Sequence, residues 1–461
     1  MTDMGEAGHT KRLAEVCAGL SIERLPAEVI EKAKLCILDF FANVYGSLEL
    51  EAVSKVIHYV RSLGGPEIAT ALGCGFRTSI HNAAFINGTT AEAIEAQDGL
   101  RFGGNHPGAA VIPASLAVAE DLGLGGAAAI EAVVAGYEVA GRIAAALHPH
   151  HTLAGFLPTG TCGAFGAAAA ASRLMGHDVD GMLNSLGNAG YLLPLSMAEH
   201  LMGGYTSKIL QGGQAANAGL TAAGLAGAGI TGAPYVLEGS SLKGGFSQIT
   251  TRSEPDLSRI LAELGEHFSI MDVYFKPYTA CRHTHGAAQA ALSLVAEGSL
   301  DPRSIESIRV YTYPIAALAV GKKVAENDSF VSAQFSLPYV VSACLIDGGM
   351  GPAQLRADRI SDRAILDLAR KVEIIIDPEL AAAYPGVTSS RLEIRLRGGR
   401  TLVNQVDIPK GDPRDPMTAG DLAAKLKRFA SARSRVDTER ITTSSLELEK
   451  VKDIRELTSI I

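Results

Sequence analysis

The chain has no tryptophan, and aromatic residues make up only 5% of its 461 positions. Its interior must be filled by Ala, Leu, Val, Ile and Gly, and a hydrophobic content of 47% is enough for that. Fifty glycines and repeated Ala runs point to helices that meet through small residues. Cysteine is sparse. Cys17, Cys36, Cys74, Cys162, Cys281 and Cys344 are scattered and form no CxxC pair. That speaks against a zinc site or a cysteine-held cluster and for reduced thiols. The start of the chain carries Asp3 and Glu6 and no apolar signal core, so secretion is not expected and a cytoplasmic place is. The apolar stretches 107–119 and 163–172 are too short or too weakly hydrophobic for a bilayer, so no membrane partner is expected. Forty-one basic against 49 acidic side chains leave a net charge of −8, which would repel a nucleic acid.

What is present begins with helices. Ile30, Ala33, Ile37, Phe40, Phe41 and Val44 recur at helical spacing behind Pro26. Residues 125–147 repeat the pattern, with Glu138 and Arg142 set four apart for mutual support. Residues 161–174 and 219–229 are Ala/Gly runs of the same kind. No convincing two-residue alternation occurs in this half. Near residue 270 the character changes. Residues 305–313, 371–376 and 391–397 are rich in β-branched residues or alternate, and 391–397 and 401–407 flank Gly398-Gly399 as a hairpin would. Helices are expected at 284–297, at 331–346 and after Pro416, where Thr418 is placed to cap. The length exceeds what one core usually organises. The expected fold is mostly α: a large all-helical domain, 1–269 completed by 406–461, plus a smaller α/β (α+β) domain, 270–405.

The densest chemistry lies in Lys276-Pro-Tyr-Thr-Ala-Cys-Arg-His-Thr-His285. One Lys, one Arg and two His in ten residues stand out on an acidic chain and suit a small anion. Asn105-His106-Pro107-Gly108 holds its imidazole in a restricted turn before an apolar helix, where it can carry a proton near neutral pH. Glu92, Glu95 and Asp98 fall on or near one helical face; a solvated face is the usual meaning of such a row, although a carboxylate can also orient a histidine. Lys208 stands alone before an Ala/Gly helix; buried there, it would have a lowered pKa and could act as a base. His148-Pro-His-His151 reads as a loop rather than a metal site. Gly160–Gly166 and Gly224–Gly229 lack the strand and acidic partner of a dinucleotide loop, and no GK[ST] occurs. Neither NAD, FAD nor ATP is expected, and no cofactor or metal is called for.

Taken together these residues resemble the MmgE/PrpD family over about residues 10–430. The resemblance rests on Asn105-His-Pro-Gly, Gly136-Tyr-Glu-Val-Ala-Gly-Arg142, Pro158-Thr-Gly-Thr-Cys-Gly163 and Lys208 with its helix. It extends to Thr231-Gly-Ala-Pro with Leu237-Glu-Gly, Lys276-Pro-Tyr with Cys281-Arg-His-Thr-His, Gln334-Phe-Ser-Leu-Pro-Tyr339 and Lys410-Gly-Asp-Pro. The family contains 2-methylcitrate dehydratase, cis-aconitate decarboxylase and iminodisuccinate epimerase. The resemblance implies a helical domain joined to an α/β domain, a site between them without an organic cofactor, a small polycarboxylate substrate and a homodimer. It also carries His106, Lys208, Lys276 and Tyr339 as site positions.

The departures bear on the reaction. Dehydratase-type members typically read His-x-Leu-Asp-Phe-Asp-Asp where this chain has Glu92-Ala-Ile-Glu-Ala-Gln97-Asp98, and many carry His where Leu157 stands. Dehydration needs an acid for the departing hydroxyl; epimerisation does not. The expectation is therefore an epimerase of iminodisuccinate or a related amino polycarboxylate. His106 and Lys208 would be its proton carriers, with Asp98 orienting His106. Lys276, Arg282, His283, Arg101 and Gln97 would hold substrate, and Tyr339 would donate to the enediolate or carry a proton. A hydro-lyase or decarboxylase acting on a tricarboxylate is the alternative, and a non-catalytic protein that binds a small acid is a more distant one.

Overall fold

Small side chains decide how the helices meet. In the computed structural model, which describes residues 8–253, 255–298 and 300–460, six long helices dominate the first half. They are α1 (Ala27–Ser47), α2 (Ile80–Ala93), α3 (Gly108–Leu122), α4 (Gly126–Leu147), α5 (Pro158–Leu174) and α6 (Leu210–Gly227). A Cβ on Gly166 of α5 would stand 2.6 Å from Gly136 O of α4, and one on Gly88 of α2 would stand 2.8 Å from Gly213 N of α6. Any side chain at these crossings would force the axes apart. The glycines at 160–166 lie inside α5, as helix packing rather than as a loop. The Glu138–Arg142 pair forms inside α4 at 2.7 Å, and Arg142 also donates to Ala262 O at 2.6 Å. Asp3 and Glu6 fall outside the described residues.

The second half adds a four-stranded mixed sheet. Strand β1 (Ile305–Thr312) pairs in parallel with β2 (Val372–Ile376) and antiparallel with β3 (Ser390–Leu396), and β4 (Thr401–Val406) closes the order β2-β1-β3-β4. Gly398 and Gly399 turn the β3–β4 hairpin with φ of 125° and 86°, values that favour glycine. Helix α7 (His285–Ala296) packs on β3 and β4 and against α8 (Leu337–Asp347). The single helix expected at 331–346 is in fact two, Phe330–Gln334 and α8. Pro338 has no N–H for a helix interior, so the chain breaks and restarts with the Ser336 side chain accepting from Tyr339 N. A ladder of Ala69–Ala71 with Phe76–Thr78 was too short to leave an alternating pattern.

Three ties position the residues of interest. Gly99–Leu100 pairs antiparallel with Val273–Tyr274, which draws the turn after α2 beside the segment carrying Lys276. Helix α9 (Ala419–Phe429), capped by Thr418, packs on α1. Its Lys425 Nζ lies 2.6 Å from both Asp39 Oδ1 and Ala96 O. All six cysteines are free. Among the described residues, no helix is long and apolar enough to cross a membrane.

Candidate active site

The C-terminal end of α2 leaves carbonyls that the helix itself cannot satisfy. Side chains from four distant elements take up those of the following turn. Gln334 Nε2 donates to Ala93 O at 2.9 Å, Lys276 Nζ to Glu95 O at 3.1 Å, Lys425 Nζ to Ala96 O, and His106 Nδ1 to Asp98 O at 2.6 Å. Two of the four are ammonium groups, which also suits the negative end of a helix dipole. Glu95 sits in this turn with φ 54°, a left-handed conformation that costs a non-glycine residue about 1–3 kcal/mol. The surrounding ties hold it there.

The side chains of the turn form a buried ion cluster. Lys208 Nζ is 2.7 Å from Glu92 Oε1 and also bonds Glu95 Oε2. Lys276 Nζ is 2.7 Å from Glu95 Oε1. Gln211 Nε2 donates to Glu92 Oε1 at 2.6 Å, which leaves Glu92 Oε2 buried without a partner. His106 Nε2 stands 3.8 Å from Glu95 Oε1, and its side chain is 15% exposed. The two lysines and two glutamates are almost fully covered, with exposures of 0–3%.

Charge follows from these contacts. Burial opposes ionisation of Glu95, but Lys208 and Lys276 outweigh it and hold its carboxyl well below the carboxylate range. Burial, with the charge of Glu95 behind it, raises Glu92, and Lys208 only partly offsets that. Glu95 is therefore the more readily ionised of the two carboxyls that meet Lys208. Burial would lower Lys208, yet the two glutamates reverse it and the ammonium is raised. This corrects the expectation of a lowered lysine: the partners that decide the sign lie more than a hundred residues away in sequence. Burial, and then Lys276, lower His106 to about 3 against the pull of Glu95, so its ring is neutral near pH 7. Because Nδ1 donates to a carbonyl, the lone pair is on Nε2.

The other expected residues divide. Asp98 does not orient His106 through its carboxylate. Its backbone carbonyl does so, while the carboxylate accepts from Tyr137 at 2.5 Å and Gly108 N at 3.2 Å; burial raises it to about 6. Arg282 is spent on structure, donating to Lys410 O at 2.8 Å and Pro409 O at 2.7 Å. His283 Nδ1 meets the Tyr313 hydroxyl at 2.7 Å. Arg101 donates to Gly386 O at 2.5 Å. Gln97 is buried with both amide atoms unpaired, lining a small void with Cys36, Asp39 and Asn43. Tyr339 donates to Gln354 O at 2.5 Å, and the charges around it are Asp347, Arg359, Asp362 and Asp358, not those of the cluster. A cavity of about 1270 Å³ runs past Leu50, Ile209, Tyr278, Gln354 and Arg428 and includes none of the cluster's side chains. That groove has its own ionisable lining, Glu49, Lys55, Asp347 and Arg428 among it, whereas the cluster gathers two lysines, two glutamates and an imidazole out of contact with it. Residues 148–151 form a turn into a short helix. Among the described residues, no His, Cys, Asp or Glu group gathers to hold a metal.

Glu92 and Glu95 lie on no solvated face, the usual meaning of their spacing, but are buried partners of the lysines, with Glu95 also near His106.

Comparison with known proteins agrees with the resemblance. The MmgE/PrpD N-terminal domain matches residues 11–258 and the MmgE/PrpD C-terminal domain matches 278–449. Cis-aconitate decarboxylase of Homo sapiens is 28% identical over 464 residues, covering 98% of this chain and 94% of that protein. Cis-aconitate decarboxylase of Aspergillus terreus is 26% identical over 479 residues, covering 99% and 96%. The cis-aconitate decarboxylase-like protein oryM of Aspergillus oryzae is 26% identical, covering 100% and 99%.

Proposed function

This chain belongs to the MmgE/PrpD family, and from that premise we propose that it is a cofactor-independent epimerase of iminodisuccinate or a close amino polycarboxylate. The observation that carries the reading is one neutral base facing two fixed ammonium groups: His106 Nε2 beside the carboxylate shared by Lys208 and Lys276. His106 removes the hydrogen α to a substrate carboxylate. The C–H electrons pass into that carboxylate as an enediolate, whose added negative charge the ammonium groups stabilise. The Nζ of Lys208 returns a proton to the opposite face and takes another from solvent when the product leaves, and the imidazolium loses its own to solvent along its exposed edge. Each positioned proton carrier contributes about 10²–10⁴-fold. Leu157 offers no acid for a leaving hydroxyl, which favours inversion over dehydration.

A second reading is decarboxylation of a tricarboxylate, favoured by the names of the relatives. The same ammonium groups would then stabilise the carbanion left by CO₂. Proton NMR in D₂O with a panel of amino- and tricarboxylic acids separates the two. Epimerisation loads deuterium at the inverted carbon of a retained skeleton, and decarboxylation gives an unsaturated product of one fewer carbon. His106→Ala should abolish either signal by about a hundredfold or more; an unchanged rate would remove His106 from the reaction.

A second copy of the chain is the partner implied by the family. Tyr191, Leu195, Tyr205, Leu242 and Ile249, between 61% and 90% exposed, are apolar residues that such a partner would have reason to cover.

A further inference from the structure

Lys208 and Lys276 are the groups best placed to receive a substrate carboxylate, yet both are covered, at 3% and 0% exposure. What covers their charge is another carboxylate. Glu95 spends one oxygen on each lysine, and the open Nε2 of His106 faces the same group. Two ammonium groups and one neutral imidazole, from three separate segments, thus converge on a single carboxylate that belongs to the protein itself. We infer that Glu95 is an internal stand-in for the substrate: its side chain occupies the carboxylate subsite of the resting enzyme and must leave before a ligand can reach the two ammonium groups.

This inference rests on the reading that the cluster receives a carboxylate. Its consequence is selectivity. A ligand must offer a carboxylate that replaces two charge-assisted bonds, so neutral or singly bound groups are refused. It also lowers apparent affinity, because only the fraction of molecules with Glu95 withdrawn can bind. The strained φ of 54° suits a side chain held in place by its partners rather than by its own backbone preference.

The probe is succinate, a plain dicarboxylate. In a crystal structure of the unaltered chain with succinate, one carboxylate of the probe should bridge Lys208 and Lys276, and Glu95 should have moved out of hydrogen-bond distance of both. Succinate bound while Glu95 still bridges the lysines overturns the inference, as does failure to bind there at all. By calorimetry, Glu95→Gln should bind succinate about tenfold more tightly than the unaltered chain. Equal or weaker binding counts against the idea. Should that variant fold poorly, Glu95→Asp, too short to span both lysines, should shift affinity in the same direction by less. Deuterium exchange on the unaltered chain reports separately on the epimerase reading. Exchange without displacement of Glu95 sinks this inference alone, and displacement without exchange by any acid sinks that reading alone.

Discussion

Lys276 and Arg282 belong to one cationic stretch, and the fold uses them in opposite ways. Lys276 enters the cluster, where it faces an ionised glutamate beside a half-free imidazole. Arg282 turns to the carbonyls of Pro409 and Lys410 and stacks over Tyr274 at 4.8 Å. Both are buried cations, so neither charge nor burial separates a reactive group from a clamp. The partner does. A carboxylate can be exchanged for another carboxylate, as a substrate would require, whereas a backbone carbonyl of the fold cannot leave.

The strongest way to break that contrast is to remove each cation in turn. Lys276→Met should cut deuterium exchange by about a hundredfold or more, since a fixed positive charge is lost from the enediolate. It also leaves Glu95 with one ammonium fewer, and stability should fall by about 3–5 kcal/mol in urea unfolding. Arg282→Met leaves two carbonyls short of donors, at about 1–3 kcal/mol each, while exchange stays within roughly tenfold. If Arg282→Met instead loses as much activity as Lys276→Met, with KM raised and stability kept, the arginine touches substrate and the contrast fails.

The contrast also marks how far sequence reading reaches. Local chemistry was legible: Thr418 caps α9, Gly398-Gly399 turn a hairpin, and the Ala/Gly run 161–174 lies in a close-packed helix, whereas of 219–229 only the first part packs and Gly224 faces open space. So was the likeness that placed His106, Lys208 and Lys276 in one site. What was not legible were partners set by tertiary packing. The sign of the Lys208 shift depends on Glu92 and Glu95, and the fate of Arg282 on Pro409 and Lys410, none of them near in sequence. Spacing can say that a cation is present; it cannot say which oxygen meets it.

Acid should sharpen the same comparison with a smaller effect. Burial lowers His106 to about 3, and His151 and His283 each to about 4, against an ordinary value near 6.5. As pH falls from about 6.5 to 4, the unfolded chain takes up protons on these residues and the folded chain does not. Each such histidine therefore removes stability at about 1.4 kcal/mol per pH unit. Asp98, raised to about 6, opposes this between roughly pH 4 and 6, because there the folded state holds the proton. Burial also lowers His81, His148, His177 and His285 and raises Asp39, Glu92 and Glu138, so the balance stays with the histidines and Tm should drop between pH 6.5 and 4.5. His283→Gln should flatten the slope. His106→Gln should do the same while also ending exchange, so the two imidazoles share a stability role but not a chemical one. A slope unchanged in both variants would contradict the burial assigned to them.

The smallest effect is expected at Tyr339. The family resemblance carried it as a site position, expected to donate to the enediolate or carry a proton, but its hydroxyl already donates to Gln354 O, in the wall of the large groove. Burial raises the phenol well above its ordinary value, so it keeps its proton and has a carbonyl to spend it on. Tyr339→Phe deletes one hydrogen bond and little volume. Stability should fall by about 1 kcal/mol, and the exchange rate should stay within about twofold. A hundredfold loss of exchange with unchanged stability would put the hydroxyl at the reacting carbon. The groove beside Gln354 would then have to open onto the cluster during turnover, and the boundary drawn between clamp and reactive group would move to include it.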